Sequence, residues 1–391
     1  MDRAVCPLTF SRRSLQSRLG IESAFLRELP GLGFLLLGVA AQFYLAKVFS
    51  VRRGVTLLIV ACQALLYLLN LEPFSSWFGI KTEFAGSVLM LWWWAIAPAA
   101  AAIWLVRKIP AKPFDSGRRA VLRTSLKALA AAPAVALANG IVIRKDLQVR
   151  EVRLPFANLP KDLQGLRLVQ LSDIHMGSFY SAADLARAVD AANGLRADLM
   201  LVTGDLITDR FDPLDRCLLE LKRLRAASGI WGCLGNHEMH ARVEDYTTEK
   251  AMRVGIRFLR QQAEVLKFGA AQLNLVGVDH QRRNRPYLQH TADLLAPGEF
   301  NLLLSHNPDV FPVAAKQGFD LTVSGHTHGG QINLELLGSN INVVDLVTPF
   351  TKGHYQIDNA SLYVNSGLGT IGVPVRLGSP PEVTLITLCN S

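Results

Sequence analysis

Hydrophobic and polar positions divide this chain into two parts with different periods. Three runs carry no charged residue: Leu29–Ala46, Gly54–Leu71 and Phe84–Val106. Each is long enough for one helix to cross a hydrocarbon core, the first two only just. The third holds Trp92, Trp93, Trp94 and Trp104, aromatics of the kind that gather at membrane interfaces. A fourth run, Ala128–Ile143, is shorter, rich in alanine and interrupted by Pro133. The pattern predicts three to four transmembrane helices over residues 29–145, after a basic segment at 1–28.

From about residue 146 short apolar strands alternate with helices. Leu147–Leu154 alternates as a half-buried strand does, and Arg167–Leu171, Leu199–Thr203 and Gly229–Leu234 read as buried strands. Further strands are expected at Gln272–Val278, Phe300–Ser305 and Leu321–Ser324. Ser181–Asn193 reads as a helix with Ser181 as N-cap and Asp184 three residues on as the capping acid. Asp215–Leu224 reads as a second helix. The alternation predicts an α/β domain over 146–391.

Charge follows the same division. Residues 1–150 hold 19 Lys/Arg against 7 Asp/Glu, and residues 151–391 hold 22 against 25. The whole +9 therefore arises beside apolar runs, where basic residues flank membrane spans. A nucleic-acid surface would put the excess on the α/β domain, so no nucleic-acid partner is expected and a lipid bilayer is. Arg52, Arg53 and Lys47 between the first two runs, and Arg107, Lys108, Lys112, Arg118 and Arg119 after the third, belong on the cytoplasmic side by the positive-inside rule. That sends the α/β domain to the outer face of the plasma (inner) membrane of a multi-pass protein. Arg3, Arg12, Arg13, Arg18 and Arg27 argue for the opposite side. Ser116-Gly117-Arg118-Arg119 before an alanine-rich run reads equally as a degenerate twin-arginine export signal or as a basic flank. Cys217, Cys233 and Cys389 show no pairing pattern, and a domain of this size needs no disulfide framework.

All nine histidines lie after residue 150, and five fall in short stretches directly after predicted strands. The stretches are Asp173-Ile174-His175, Gly204-Asp205, Gly235-Asn236-His237-Glu238, Ser305-His306 and Gly325-His326-Thr327-His328. Ligands in α/β sheets bind beyond the carboxyl ends of strands, so the repeated order has a geometric cause. Carboxylate, imidazole and one carboxamide, without cysteine, form a donor set suited to Mn, Fe or Zn. Asp205 is placed to bridge two cations, and His326 and His328 can serve neighbouring ones. The arrangement reads as a two-metal hydrolase.

These blocks resemble the calcineurin-like metallophosphoesterase superfamily, with its order D-x-H, G-D, G-N-H-[DE], H, G-H-x-H over residues 165–330. The run Ser324 to Gln331 and the tail from Gly367-Leu368-Gly369 to Pro381-Glu382-Val383 resemble the bacterial YaeI/YkuE-like branch, often membrane-linked or exported. The resemblance implies a four-layer α/β/β/α sandwich, here preceded by an α-helical transmembrane region. It implies that Asp173, His175, Asp205 and His328 hold a first divalent metal, and Asp205, Asn236, His306 and His326 a second. His237 would protonate or stabilise the leaving oxygen. Family members often add an acid after the bridging Asp to orient that histidine, and Asp209 is the nearest here. Arg376, in Val375-Arg376-Leu377, could touch a phosphate, although an exposed or salt-bridged arginine is the more ordinary reading. His240, His280, His290 and His354 fit no block, with His280 and His354 on the substrate side if functional. Arg282-Arg283-Asn284-Arg285 is a solvated loop or a basic lip to the pocket.

The expected function is a membrane-anchored dinuclear-metal phosphodiesterase or pyrophosphatase acting on a phosphorylated substrate, with a lipid-linked one among the candidates. A broad monoesterase or protein phosphatase is the alternative within the enzyme class. A membrane sensor that has lost turnover is the alternative outside it, and it would normally lack a ligand or the leaving-group histidine. Neither is missing here.

Overall fold

The computed structural model describes residues 33, 35–70, 83–108, 116–282, 284–336 and 339–391. The chain divides into two compact units, Met1–Leu137 and Ala138–Ser391. The basic segment 1–28 and the start of the first apolar run lie outside the described residues.

Within the first unit the apolar runs are helices. Leu35–Val48 and Arg53–Asn70 are the shorter pair. Glu83–Lys108 runs through Pro98, with Arg107 and Lys108 at its end. Ser116–Ile143, which continues past Leu137 into the second unit, runs unbroken through Pro133, so that proline does not interrupt the fourth run as expected. Two segments, Phe84–Lys108 and Thr124–Ile143, are long and apolar enough to cross a membrane by length and composition. Ala41, Leu45, Ile96, Ala100 and Ile103 pack these helices together. Gln42 donates to Gln63 Oε1 at 2.7 Å inside this apolar setting, and the Trp93 indole donates to the same oxygen at 3.5 Å.

The second unit is built on two six-stranded sheets. The first runs β1 (Gln148–Phe156), β14 (Glu382–Asn390), β2 (Arg167–Leu171), β3 (Leu199–Thr203), β4 (Ile230–Cys233) and β5 (Ile256–Phe258). Strand β14 lies antiparallel to β2, while β2 to β5 are mutually parallel. The second sheet runs β12 (Gly353–Ile357), β13 (Ala360–Val364), β9 (Leu321–Ser324), β8 (Phe300–Leu304), β7 (Ala271–Gly277) and β6 (Gln262–Phe268). A short hairpin of β10 (Asn333–Leu336) and β11 (Ser339–Asn342) stands apart.

Alternation of side chains across each strand gives both sheets two apolar faces. Leu168, Leu199 and Leu201 from the first sheet meet Leu275, Leu302, Leu304 and Val323 from the second in one buried cluster. On the far side of the first sheet, Val169, Leu171, Met200 and Val202 bury helices Ala182–Gly194 and Leu214–Leu221. On the far side of the second, Leu303, Leu362 and Val364 are buried with Val310, Phe311 and Ala314 of helix Phe311–Gln317 and the turn before it. The result is the α/β/β/α order expected. Ser181 and Asp184 form the capping box read from the sequence, with each side chain bonding the other's backbone.

Register aligns the strand ends. Leu171 pairs with Val202, and Thr203 with Cys233, so the segments after β2, β3 and β4 emerge along one edge. Gly277 pairs with Leu304, Leu304 with Val323, and Ser324 with Val364, which does the same for the second sheet. Every block of ligand-type residues starts there.

Candidate metal centre

The blocks are held by an unusual backbone. Asp173, His175, Asp205, His326 and His328 all have positive φ, between 45° and 75°. Left-handed non-glycine residues cost of order 1–3 kcal/mol each and persist only where the surroundings dictate them. Here the surroundings do: the amides of Asp173 and His175 donate to the carbonyls of Gly204 and Asp205, lacing the β2 loop to the β3 loop. The glycines serve the same closeness. A Cβ on Gly325 would overlap Ser172 and Asp173, and one on Gly235 would overlap the Asp205 carboxylate.

Eight ligand-type side chains converge. His306 Nε2 lies 2.9 Å from Asp205 Oδ2, and His175 Nε2 lies 3.6 Å from the same oxygen. His328 Nε2 is 3.5 Å and His306 Nε2 3.9 Å from Asp173 Oδ1. Three overlapping groups could each hold a cation: Asp173, His175 and His328; His175, Asp205 and His237; Asp205, His306 and His326. Asp205 belongs to two of the three. Asp173, His175, Asp205, Asn236, His306 and His328 are buried.

Outer contacts fix how these groups point. His306 Nδ1–H donates to the Thr203 carbonyl at 2.6 Å, leaving Nε2 toward the carboxylates. His175 Nδ1 meets Thr208 Oγ1 at 2.9 Å. His237 Nδ1–H donates to the Thr208 carbonyl at 2.7 Å, and its amide donates to Asp205 Oδ1 at 2.9 Å. Asp173 accepts from Ser172 Oγ and from the His326 amide. Glu238, buried, accepts from the amides of Gly235, Asp205 and Leu206 and so binds the β3 and β4 loops together.

Two residues lie differently from their sequence expectations. Asp209 sits exposed in its loop, and the carbonyl of Thr208 occupies the place at His237 that an orienting acid was expected to fill. Arg376 is fully buried, and its guanidinium donates to the carbonyls of Ser366, Gly367, Gly369 and Ser379, with Nη2 at 3.5 Å from His328 Nδ1. Its charge therefore lies behind the centre and beside the Gly367–Gly369 loop. His280, which fits no block, follows β7 at the same edge, with its ring 6.0 Å from that of His306 and 5.3 Å from that of His326. Sequence reasoning gave no role to Glu238 or Thr208. Glu238 stood inside a quoted motif, whereas a backbone carbonyl leaves no residue-type signal.

The electrostatics suit a cation. Burial pushes His175 down to about 3 and His326 to about 4, with neighbouring histidines adding to it, so these imidazoles are neutral as ligands must be. Burial would raise Asp205, but His306, His175 and His237 outweigh it and hold the carboxyl well below its usual range. Burial, reinforced by Asp205, lifts Asp173 to about 6. Burial would lower His306, yet the two carboxylates carry it up to about 10. Two carboxylates buried together require positive charge. Protein groups alone assign it to His306, and a divalent cation would take it over and leave a neutral ligand. His175 Nε2 and Asn236 Oδ1 are buried and accept no hydrogen bond, which is costly unless something else fills those lone pairs. The donor set, its burial and these two atoms fit divalent metal.

Comparison with known proteins agrees. Residues 166–330 match the family described as Calcineurin-like phosphoesterase. That match supports a calcineurin-like metallophosphoesterase domain and, with the buried Asp/His groups, a metal-dependent phosphoester hydrolase. Bacterial YkuE-like proteins are among those it is similar to. The chain is 28% identical over 251 residues to "Uncharacterized metallophosphoesterase YkuE" of Bacillus subtilis, covering 62% of this chain and 85% of that one. It is 27% identical over 246 residues to YkoQ of the same organism, covering 61% and 90%. It is 31% identical over 256 residues to "Transmembrane protein with metallophosphoesterase domain" of Danio rerio, covering 62% of this chain but only 57% of that protein. The apolar helices and that relative's name together point to membrane association.

Proposed function

We propose that this protein is a membrane-anchored phosphoesterase with two divalent ions, cleaving a phosphodiester or pyrophosphate. The observation that carries the reading is the pair of buried, unpartnered atoms, His175 Nε2 and Asn236 Oδ1, within a cluster sharing Asp205. Asp173, His175, Asp205 and His328 would hold one ion, and Asp205, Asn236, His306 and His326 the other. When bound, such ions supply Lewis acidity toward a phosphoryl group and favour hydroxide as nucleophile at neutral pH. In the reaction the oxygen of water bonds to phosphorus and the P–O bond to one organic arm breaks. The departing oxygen takes a proton from His237, whose Nδ1–H is committed to Thr208 and whose Nε2 is the remaining nitrogen.

Basic flanks and apolar helices support a multi-pass protein of the plasma membrane, with the phosphoesterase domain on its outer face. A reporter fused after Ser391 and probed from outside intact cells tests that side. Full-length protein in detergent, stripped of metal and given Mn²⁺, Zn²⁺ or Mg²⁺, tests the chemistry. Metal-dependent hydrolysis of an aryl phosphodiester exceeding that of the monoester, and lost in Asn236→Ala, is expected. Monoester preference would move the substrate class to phosphatases. No turnover with any metal despite metal binding would favour the sensor reading.

A further inference from the structure

Two cavities of opposite character meet beside the metal centre. The larger, about 730 Å³, reaches His326 and His328 and has an apolar wall of Ile332, Val343, Val344, Val347 and Ile371. Val343 is 72% exposed and Val347 56%, unusual for valines beside a site of this kind. The second, about 510 Å³, is lined by Gln261, Arg282, Arg285, Gln289 and His290. A smaller cavity joins Arg282 to Asn236. His280 lines all three.

The divide between them is firmly built. The Gln281 side chain donates to the Asp279 carbonyl and accepts from the Leu288 amide, and Asn307 donates to the Gln281 carbonyl. Asp279 is engaged by Arg260, so the nearby acid is already neutralised. Among the described residues, neither Arg282 nor Arg285 has an ion-pair partner. A phosphate at the centre thus has cationic, hydrogen-bonding walls on the Asn236 side and aliphatic walls on the His326–His328 side. A phosphomonoester has a single organic arm and would leave one of these walls unused.

We propose that the cleft takes an amphiphilic phosphodiester or pyrophosphate, with an anionic arm against Arg282 and Arg285, a hydrocarbon arm against Val343, Val344, Val347 and Ile332, and His280 between the two. The assignment rests on the phosphoesterase reading above and specifies its substrate. Each wall is matched by charge or by apolar contact to one arm. Arg282 and Arg285 thereby gain a ligand.

The test is calorimetric binding to full-length protein in detergent, with and without Mn²⁺. The probes are methyl(ethyl)-, methyl(butyl)- and methyl(hexyl)phosphinate, whose P–C bonds are not hydrolysed, and a matched phosphinate whose second arm ends in a phosphonate, standing for a second phosphate. Affinity should rise about two- to fourfold per added methylene, with a heat-capacity change growing more negative along the series. Val343→Ser/Val347→Ser should flatten that slope. Arg282→Ser/Arg285→Ser should cost the phosphonate-ended probe about tenfold, since charge-assisted contacts are lost, and leave the slope. The substituted positions are exposed, so folding is not at stake, and detergent partitioning acts equally on wild type and variants. Phosphinate binding with equal affinity at every chain length, or a slope untouched by the valine substitutions, would overturn the substrate class and leave the phosphoesterase reading standing. No binding of any probe by metal-loaded protein would overturn this proposal. Only when joined to absent ester turnover would it remove the phosphoesterase reading too.

Discussion

The two units of this chain use apolar residues in opposite ways. In the helical unit large apolar side chains face outward: Leu58 is 66% exposed, and Leu36, Leu57, Leu65 and Leu105 are similarly bare. In the α/β unit Leu168, Leu199, Leu201, Leu302 and Leu304 are sealed completely. The first arrangement suits hydrocarbon surroundings, in keeping with the membrane association the helices point to, and the second suits water. The same contrast governs polar groups. The helical unit pairs Gln42 with Gln63, while the α/β unit collects carboxylates, imidazoles and a carboxamide at the strand ends and leaves His175 Nε2 and Asn236 Oδ1 without a hydrogen bond.

The largest break in that comparison should come from the shared carboxylate. Asp205→Asn should lower kcat/KM at least about 1000-fold and strip metal, read by elemental analysis of the purified protein. His237→Ala should cost about 100- to 10,000-fold in kcat while metal content stays at the wild-type level, separating holding from chemistry. Glu238→Ala should lower stability by about 2–3 kcal/mol, because buried amides of Gly235, Asp205 and Leu206 lose their acceptor, and chemical denaturation would show it. Arg376→Lys sharpens the placement of that residue. A lysine cannot reproduce the guanidinium's bonds to four carbonyls, so the melting temperature should fall while KM of the surviving enzyme is unchanged. A raised KM with unchanged melting would put Arg376 at the substrate after all. The smallest effect is expected from Val135→Ser, 67% exposed on its helix, which should weaken membrane retention slightly and leave turnover of a short aryl diester unaltered.

Much of the architecture was legible because local pattern and global fold agree. Arg167–Leu171, Leu199–Thr203 and Leu321–Ser324 are strands with the expected ends, since each apolar run stops at a loop whose backbone must turn sharply. Strand β14 was not expected: nothing local tells that Glu382–Asn390 inserts between β1 and β2, parallel to the first and antiparallel to the second. Helix Phe311–Gln317 also went unread, being a short helix with a proline in its first turn. In the centre, residue types and spacing named the side chains that converge. They could not show that five of these residues adopt left-handed backbone, or that Thr208 supplies His237 with a carbonyl. Arg376 misled for a simple reason: an arginine near a glycine-rich tail fits a phosphate contact and a buried loop brace equally well, and only packing separates them.

One measurement tests the account's centre most directly: metal stoichiometry of full-length protein in detergent, titrated with Mn²⁺ after chelation and followed by elemental analysis and thermal melting. The account expects two ions per chain, a melting temperature that climbs with metal because only the folded chain presents the site, and loss of one ion in Asn236→Ala. A chain that binds no ion, or whose Asn236→Ala variant binds two as tightly as wild type, would contradict it.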